Sequence, residues 1–527
     1  MSARDALMRA EATAPRHGEA LVPGLAIACF LAAEIWLCGG GILFTRPLWL
    51  DEIHTLLVAG RQDTLTSMRG LAAGADFNPP TLYLLYRGVG RLSGGLSESV
   101  LRAVAVASVV GAICLVYSVL RDQFDRWASA VGALAVWAQS IVVAEAFDAR
   151  FYGPWLLGAA LLSLAVRKSV GRPTWINGTA LAAVSVFVCT IHYFGVLSWL
   201  SAMLVAAWYG RAAFARTVGR LAPALAGPVA LALCAPFYIG QRAALTTATW
   251  IPDLGVGSAL FLVGLALITP PVVVAVIGWG ASRFLLRRSP SAVADRSVHR
   301  LGLGPALLVS QALVPVALLV FSLAMQPAMQ PRYSIAAALV AAPIVAHAYS
   351  RSLPLFRVVT LVAILVSSGA LLADARKTAR SRAAVVHEDT EQVARIAALD
   401  STVVVRRRHS LYPLVIERPA LADHLVLLDG TSVSPNDRFE VVERDVARVH
   451  QRQYGFPRIV PRQGLDSTGT FYFLEEDSAR TPTPAEFPDR RIERVGPRLF
   501  RLETMMRNGS SVLYRTGAGT LAKGVPQ

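Results

Sequence analysis

Trp49-Leu-Asp-Glu52 sets two adjacent carboxylates just behind an apolar run, 21–44. A carboxylate at the edge of an apolar region is partly desolvated, which raises its proton affinity toward the range a general base uses. Further along, Asp148-Ala-Arg-Phe-Tyr152 puts a second acid, a cation and a phenol at the start of another apolar run. Thr190-Ile-His-Tyr-Phe194 puts His192 at the end of one. In Pro331-Arg-Tyr333 the proline favours a helix start, and a helix start attracts phosphate. The Arg332 guanidinium adds a planar, two-pronged donor for the same ligand. Glu34 stands apart, because it falls within an apolar run where a carboxylate costs about 3 kcal/mol unless it is paired or protonated.

Each of these has an ordinary reading. Asp51-Glu52 taken alone is more often a solvated acid pair, and Arg150 alone either snorkels or pairs with Asp148. Asp148 to Tyr152 reads equally as a helix cap with an interfacial aromatic. A lone His192 is more often a hydrogen-bonded anchor than a ligand, and no HExxH or CxxC spacing supports a metal. Glu34 either meets a buried polar partner or belongs to a proton path.

The elements that must position these residues are membrane helices. Of 527 residues 54% are apolar and 16% charged, and the net charge is +16, from 51 basic and 35 acidic side chains. Several apolar runs reach the roughly 18 residues that cross a hydrocarbon core, which excludes a single soluble globule. Hydropathy gives about eleven spans, near 21–44, 99–120, 127–144, 152–167, 174–190, 194–210, 219–238, 258–283, 303–325, 333–350 and 355–373. The five cysteines all lie in or beside these runs, so neither a disulfide framework nor a zinc knuckle is expected. The first run is too long for a cleaved leader and is read as a retained span.

Alternate loops are basic: Arg121 and Arg126, Arg167 to Arg172, Arg211 to Arg220, Arg283 to Arg296, and Arg351 with Arg357. Basic loops mark the cytoplasmic side, and nucleic acid is not needed to explain the surplus. The N-terminus joins that side, so an odd number of spans places the tail 374–527 outside. The domains expected are 1–373, a transmembrane part with a long first external loop 45–98, and the extracytoplasmic 374–527. In that loop the amphipathic stretches 55–71 and 80–92 are read as interfacial. The tail reads as a small α/β or α+β domain, with a helix near 389–399 and strands at 401–406, 425–429, 439–443, 470–474 and 499–502. The outer ends of the spans then hold Asp51, Glu52, His54, Asp76, Asn78, Glu98, Glu145, Asp148, Arg150, His192, Arg242, Asp253 and Arg332. Arg150, Arg242 and Arg332 run against the charge bias of external loops, and a bound anion is one local reason for them.

Seven motifs in order resemble the GT-C membrane glycosyltransferases, in particular the bacterial branch of protein mannosyltransferases and lipid A aminoarabinose transferases. They are Trp49-Leu-Asp-Glu52, Asn78-Pro-Pro-Thr-Leu-Tyr83, Ser97-Glu-Ser-Val-Leu-Arg102, Glu145 to Tyr152, Thr190 to Phe194, Trp250-Ile-Pro252 and Pro331-Arg-Tyr333. The resemblance covers most of 20–375 and implies a polytopic α-helical membrane protein of GT-C type. It implies Asp51 as the catalytic base with Glu52 beside it, and Asp148 as the second acidic position. The usual form there, Glu-Ala-Arg-x-Tyr, makes Asp148 one methylene shorter. Arg332 matches the basic position near the lipid phosphate, and Arg150 and Arg242 are further cations. Tyr152, His192, Tyr333 and Asn78 complete the expected substrate-binding set.

The chemistry implied is inverting transfer of a sugar from a polyprenyl-phosphate donor to an acceptor hydroxyl on a glycolipid, glycan or protein. It takes place at the outer face of a bacterial inner membrane. The sequence does not decide whether a divalent metal ion takes part, and it suggests no other cofactor. The alternative class is a polytopic lipid flippase or transporter with an ion-coupled acidic site, for which Glu34 and the external carboxylates would form the path.

Overall fold

The computed structural model describes residues 17–61, 63–245, 268–286, 301–406, 408–429, 438–461, 470–474, 490–508, 511–515 and 521–523, with isolated positions between. Two compact units are formed. One is drawn from residues up to Thr45, 78–238 and 251–379, and the other from 46–77, 239–250 and 380 onward.

The first unit is helical. Among the described residues six helices are long and apolar enough to cross a membrane, or seven if the pair Arg126–Trp137 and Ser140–Ala146, bent by 65°, is one span. The expected count of about eleven is not reached by that measure, because several of the expected spans are shorter apolar helices: Trp175–Ile191, Gly195–Tyr209 and Pro270–Leu285. The expected run 258–283 lies partly outside the described residues.

Small residues let these helices approach closely. A Cβ added at Gly153 would sit 2.5 Å from the Ala105 carbonyl oxygen, so Tyr152–Gly171 meets Glu98–Leu120 backbone to side. Gly132 does the same for Arg126–Trp137 against Ala341–Ser350, its added Cβ falling 2.6 Å from the Ala342 oxygen.

Glu34 ends the helix His17–Glu34, where the backbone widens into a π-helical turn, Ile35–Gly39. Its carboxyl oxygens accept Trp137 Nε1–H at 3.0 Å and the Ser368 hydroxyl at 2.5 Å, which satisfies the buried polar group across three helices. Glu34→Ala would strand the Trp137 N–H, whereas Ser368 keeps a second acceptor in the Ile364 carbonyl at 2.9 Å. A loss of about 1–3 kcal/mol is expected. Glu34→Gln, which keeps an acceptor, should lose less, and thermal unfolding in detergent ranks the two.

The second unit is built on an eight-stranded sheet in the order β3-β2-β1-β4-β6-β7-β8, with β5 also pairing β6. The strands are β1 Val403–Val405, β2 Leu425–Asp429, β3 Ile459–Pro461, β4 Phe471–Leu474, β5 Arg490–Arg494, β6 Leu499–Asn508, β7 Ser511–Arg515 and β8 Leu521–Lys523. β1 to β4 pair in parallel and β4 to β8 antiparallel. Parallel strands need crossovers, supplied here by Arg408–Glu417 and Arg438–Tyr454.

The stretch 439–443, expected as a strand, is instead helical, within Arg438–Tyr454. Its Val442, Val446 and Val449 recur every three or four residues and are buried, which is the helical period, so the local valine pair misled. The stretch 46–77 folds with this unit. Leu48, Leu50 and Ile53 bury in one core with Val403, Val405, Leu411 and Leu425.

Candidate active site

In the helical unit the helix Ser140–Ala146 ends and Tyr152–Gly171 begins across a tight turn. Asp148 N–H donates to the Glu145 carbonyl at 3.2 Å and Arg150 N–H to the Asp148 carbonyl at 2.7 Å. That turn holds Asp148 and Arg150, both buried, and sends Phe151 and Trp155 down one helix face. His192 follows the last residue of Trp175–Ile191 and stacks on Phe151, with ring centroids 3.9 Å apart and planes 21° apart. Trp155 lies 5.4 Å from the imidazole and Tyr333 5.3 Å. The indole of Trp155 is held by donation to the Ser198 hydroxyl at 3.1 Å.

Arg332 enters from the 3₁₀ helix Pro331–Val340, which begins at Pro331 as expected. Its guanidinium carbon is 5.7 Å from the Tyr333 ring centre and 6.0 Å from that of Tyr152, while that of Arg150 is 5.8 Å from Phe151. Two cations therefore border one aromatic stack around a histidine. Burial, then Arg150, then Arg332, hold His192 well below the ordinary imidazole range. The ring is neutral. Phe194 N–H donates to His192 Nδ1 at 3.2 Å, so the proton sits on Nε2, which becomes a third donor beside the guanidinium groups. Donors of this kind, poor in water and rich in positive charge, suit a phosphate.

Asn78 is buried, and its amide donates to the Tyr83 hydroxyl at 3.4 Å. The Thr81 hydroxyl donates to that of Thr190 at 2.7 Å, and the Tyr86 hydroxyl to the Arg150 carbonyl at 3.4 Å, so the helix Thr81–Leu92 braces the same turns. Phe151, Trp155, Phe194, Thr81 and Tyr86 were not singled out from the sequence. The four-residue spacing of Phe151 and Trp155 was the available signal.

Asp51, Glu52 and Arg242 belong to the other unit. Trp49 is the N-cap of the helix Leu50–Ala59, and its N–H donates to Glu52 Oε2 at 3.0 Å in a capping box. Arg46 reaches the other Glu52 oxygen at 3.7 Å, and Glu52 is fully buried. Asp51, one residue earlier, is half-buried. Arg242 is exposed on Ala235–Ala243. Asp253 lies outside the described residues. Among the described residues no three His, Cys, Asp or Glu side chains gather into a metal-binding group.

The same unit buries a second polar cluster. The Arg408 guanidinium is 3.2 Å from His54 Nε2, and the His54 and His450 rings are 5.2 Å apart. Tyr412 Oη is 2.8 Å from His450 Nδ1, and His450 Nε2 is 2.8 Å from the Ala75 carbonyl. Since Ala75 can only accept, Nε2 carries the proton and Nδ1 accepts from the phenol. Burial, with Arg408 next, lowers His450 to about 3, against the smaller upward effects of the Ala75 bond and Asp76. A depressed imidazole binds fewer protons folded than unfolded, so this unit should lose stability as pH falls from about 6.5. Asp389, raised by burial to about 6 despite Arg498 at 2.5 Å, works in the opposite sense. The His450 part is therefore read by difference. His450→Phe should be less stable at neutral pH and show a flatter acid slope, as followed by limited proteolysis of residues 380 onward.

No family model matches the chain, and no curated protein matches it in sequence. Two solved structures share its fold. ArnT from Cupriavidus metallidurans in the apo state superposes with a TM-score of 0.57 at 13% identity, covering 91% of this chain and 97% of that one. The same protein bound to undecaprenyl phosphate gives 0.55 at 13% identity, with 92% and 98% covered. With its apolar helices and its small mixed sheet, this chain is a polytopic α-helical membrane protein with a GT-C-like fold.

Proposed function

We propose that the chain is a polyprenyl-phosphate-dependent glycosyltransferase that moves a sugar to an acceptor hydroxyl at the outer face of a bacterial inner membrane. The observation that carries this is the neutral, stacked His192 bordered by Arg150 and Arg332. Its support is a fold shared with a protein solved with undecaprenyl phosphate bound. In this reading Arg332, Arg150 and His192 Nε2–H hold the donor phosphate, and Tyr152 and Tyr333 offer ring faces to the donor. Asn78 contributes through the helix that braces them, and Arg242 is a further cation for the phosphate. Asp51 takes the proton of the acceptor hydroxyl as its oxygen attacks the anomeric carbon. The bond from that carbon to phosphate oxygen breaks, and the polyprenyl phosphate leaves with the added charge. Glu52 holds the helix that carries Asp51, and Asp148 holds the turn that carries Arg150. The reading keeps 1–373 as the membrane part, with the N-terminus cytoplasmic and 374–527 outside.

A transporter reading would use Glu34 as an ion carrier, but that carboxylate is already bonded to Trp137 and Ser368. Proteoliposomes loaded with polyprenyl-phosphate sugar and envelope acceptor lipids decide between the two. Transfer that survives in Glu34→Gln is expected. Lipid translocation that depends on Glu34, with no sugar transferred, would overturn the proposal.

A further inference from the structure

At the end of the helical unit away from His192, where Tyr152–Gly171 stops and Trp175–Ile191 starts, lies a groove of about 570 Å³. The latter helix has 17 residues, so about 25 Å separates the groove from His192. Ser169, Thr174, Gly178, Thr179, Arg216 and Arg220 line it, and no acidic side chain is among its lining residues. Thr174 caps the helix by accepting the Asn177 N–H at 3.2 Å. The first turn thus brings the positive end of a helix dipole to the same groove as the two guanidinium groups. Arg220 is further held by donation to the Val170 carbonyl at 2.5 Å.

The helix Phe214–Leu221 has three stripes, each repeating after four residues. Thr217 and Leu221 are buried, and Arg216 and Arg220 line the groove. Phe214 and Val218 are bare, at 58% and 46% exposure. Across the groove Trp175 and Ile176 are bare too, at 79% and 59%. The basic and bare apolar stripes fall about 160° apart around the helix, the arrangement of an amphipathic helix lying in the membrane interface, and the exposed Trp175 marks the same depth. A soluble anion would use the arginines and have no use for the bare Trp175 and Ile176.

We infer that this groove binds the phosphodiester headgroup of an anionic glycerophospholipid, with its acyl chains against the bare Trp175 and Ile176. Basic pockets between membrane helices hold such headgroups by charge and by hydrogen bonds together. The proposal does not depend on the catalytic reading.

The test is native mass spectrometry of the full chain in detergent, titrated separately with phosphatidylglycerol, phosphatidylcholine, undecaprenyl phosphate and inorganic phosphate. Phosphatidylglycerol should be retained over phosphatidylcholine, and Arg216→Gln should weaken it about tenfold, the scale of one charge-assisted bond. Arg216→Lys, which keeps the charge and loses the fork, should fall between. Arg216 is the position to change because Arg220 also holds the last turn of Tyr152–Gly171. Unchanged phosphatidylglycerol retention in Arg216→Gln overturns the site, as does equal retention of the two phospholipids. Displacement by inorganic phosphate at equal concentration, or a loss confined to undecaprenyl phosphate, assigns the groove to another anion and overturns it equally. If Arg216→Gln melts below the parent, Arg216→Lys carries the test alone, and parent-like retention in it then counts against the proposal.

Discussion

Asp51→Asn is expected to lower sugar transfer by about two to four orders of magnitude, the usual loss when a general base is removed. The protein should still insert, melt near the parent temperature and bind donor lipid. Asparagine matches the aspartate in shape. The helix Leu50–Ala59 is secured by its Trp49–Glu52 capping box and by the Thr55 hydroxyl donating to the Asp51 carbonyl at 3.3 Å, none of which needs the Asp51 carboxylate. Glu52→Gln makes the contrast. It weakens the cap and the contact with Arg46, so its first effect should be on melting temperature. Near-parent turnover in purified Asp51→Asn would move the base to Glu52 or Asp148, or end the glycosyltransferase reading.

Arg332→Ala should slow transfer about 10² to 10³-fold, the cost of removing one donor aimed at charge that develops in a transition state. Donor binding should weaken too. Arg332→Lys should bind the donor better than Arg332→Ala yet still transfer slowly, because an ammonium keeps the charge and loses the planar fork. Burial and Arg150 still act on His192 in both variants, so the imidazole stays neutral and the loss reports on the guanidinium. Measuring donor affinity and single-turnover transfer on the same preparation separates the two effects. Equal transfer rates in parent and Arg332→Ala would remove Arg332 from the phosphate site.

The helical architecture was legible from hydropathy and motif order, since each depends on local composition. Pro331 starting the helix that presents Arg332 is one such local rule. The aromatic stack around His192 was not legible, because Phe151, His192 and Tyr333 come from three distant segments that only packing joins. Glu52 looked like half of an acid pair, and its role in the cap became visible once Trp49 was seen to end the preceding extended backbone. The misread strand at 439–443 has the same origin. Two adjacent valines satisfy a strand pattern over five residues, and only the longer window to Val449 shows the helical period.

The bond between Glu34 and Ser368 joins the helix His17–Glu34 to Pro354–Ala397, made far later. During synthesis the carboxylate enters the bilayer before either partner has been translated, so Glu34 lacks both hydrogen bonds until Trp137 is made and one of them until Ser368 follows. The helix His17–Glu34 thus stays incompletely satisfied until Pro354–Ala397 arrives, and a chain cut short before residue 368 carries an incompletely bonded acid at membrane depth, where such a group is costly.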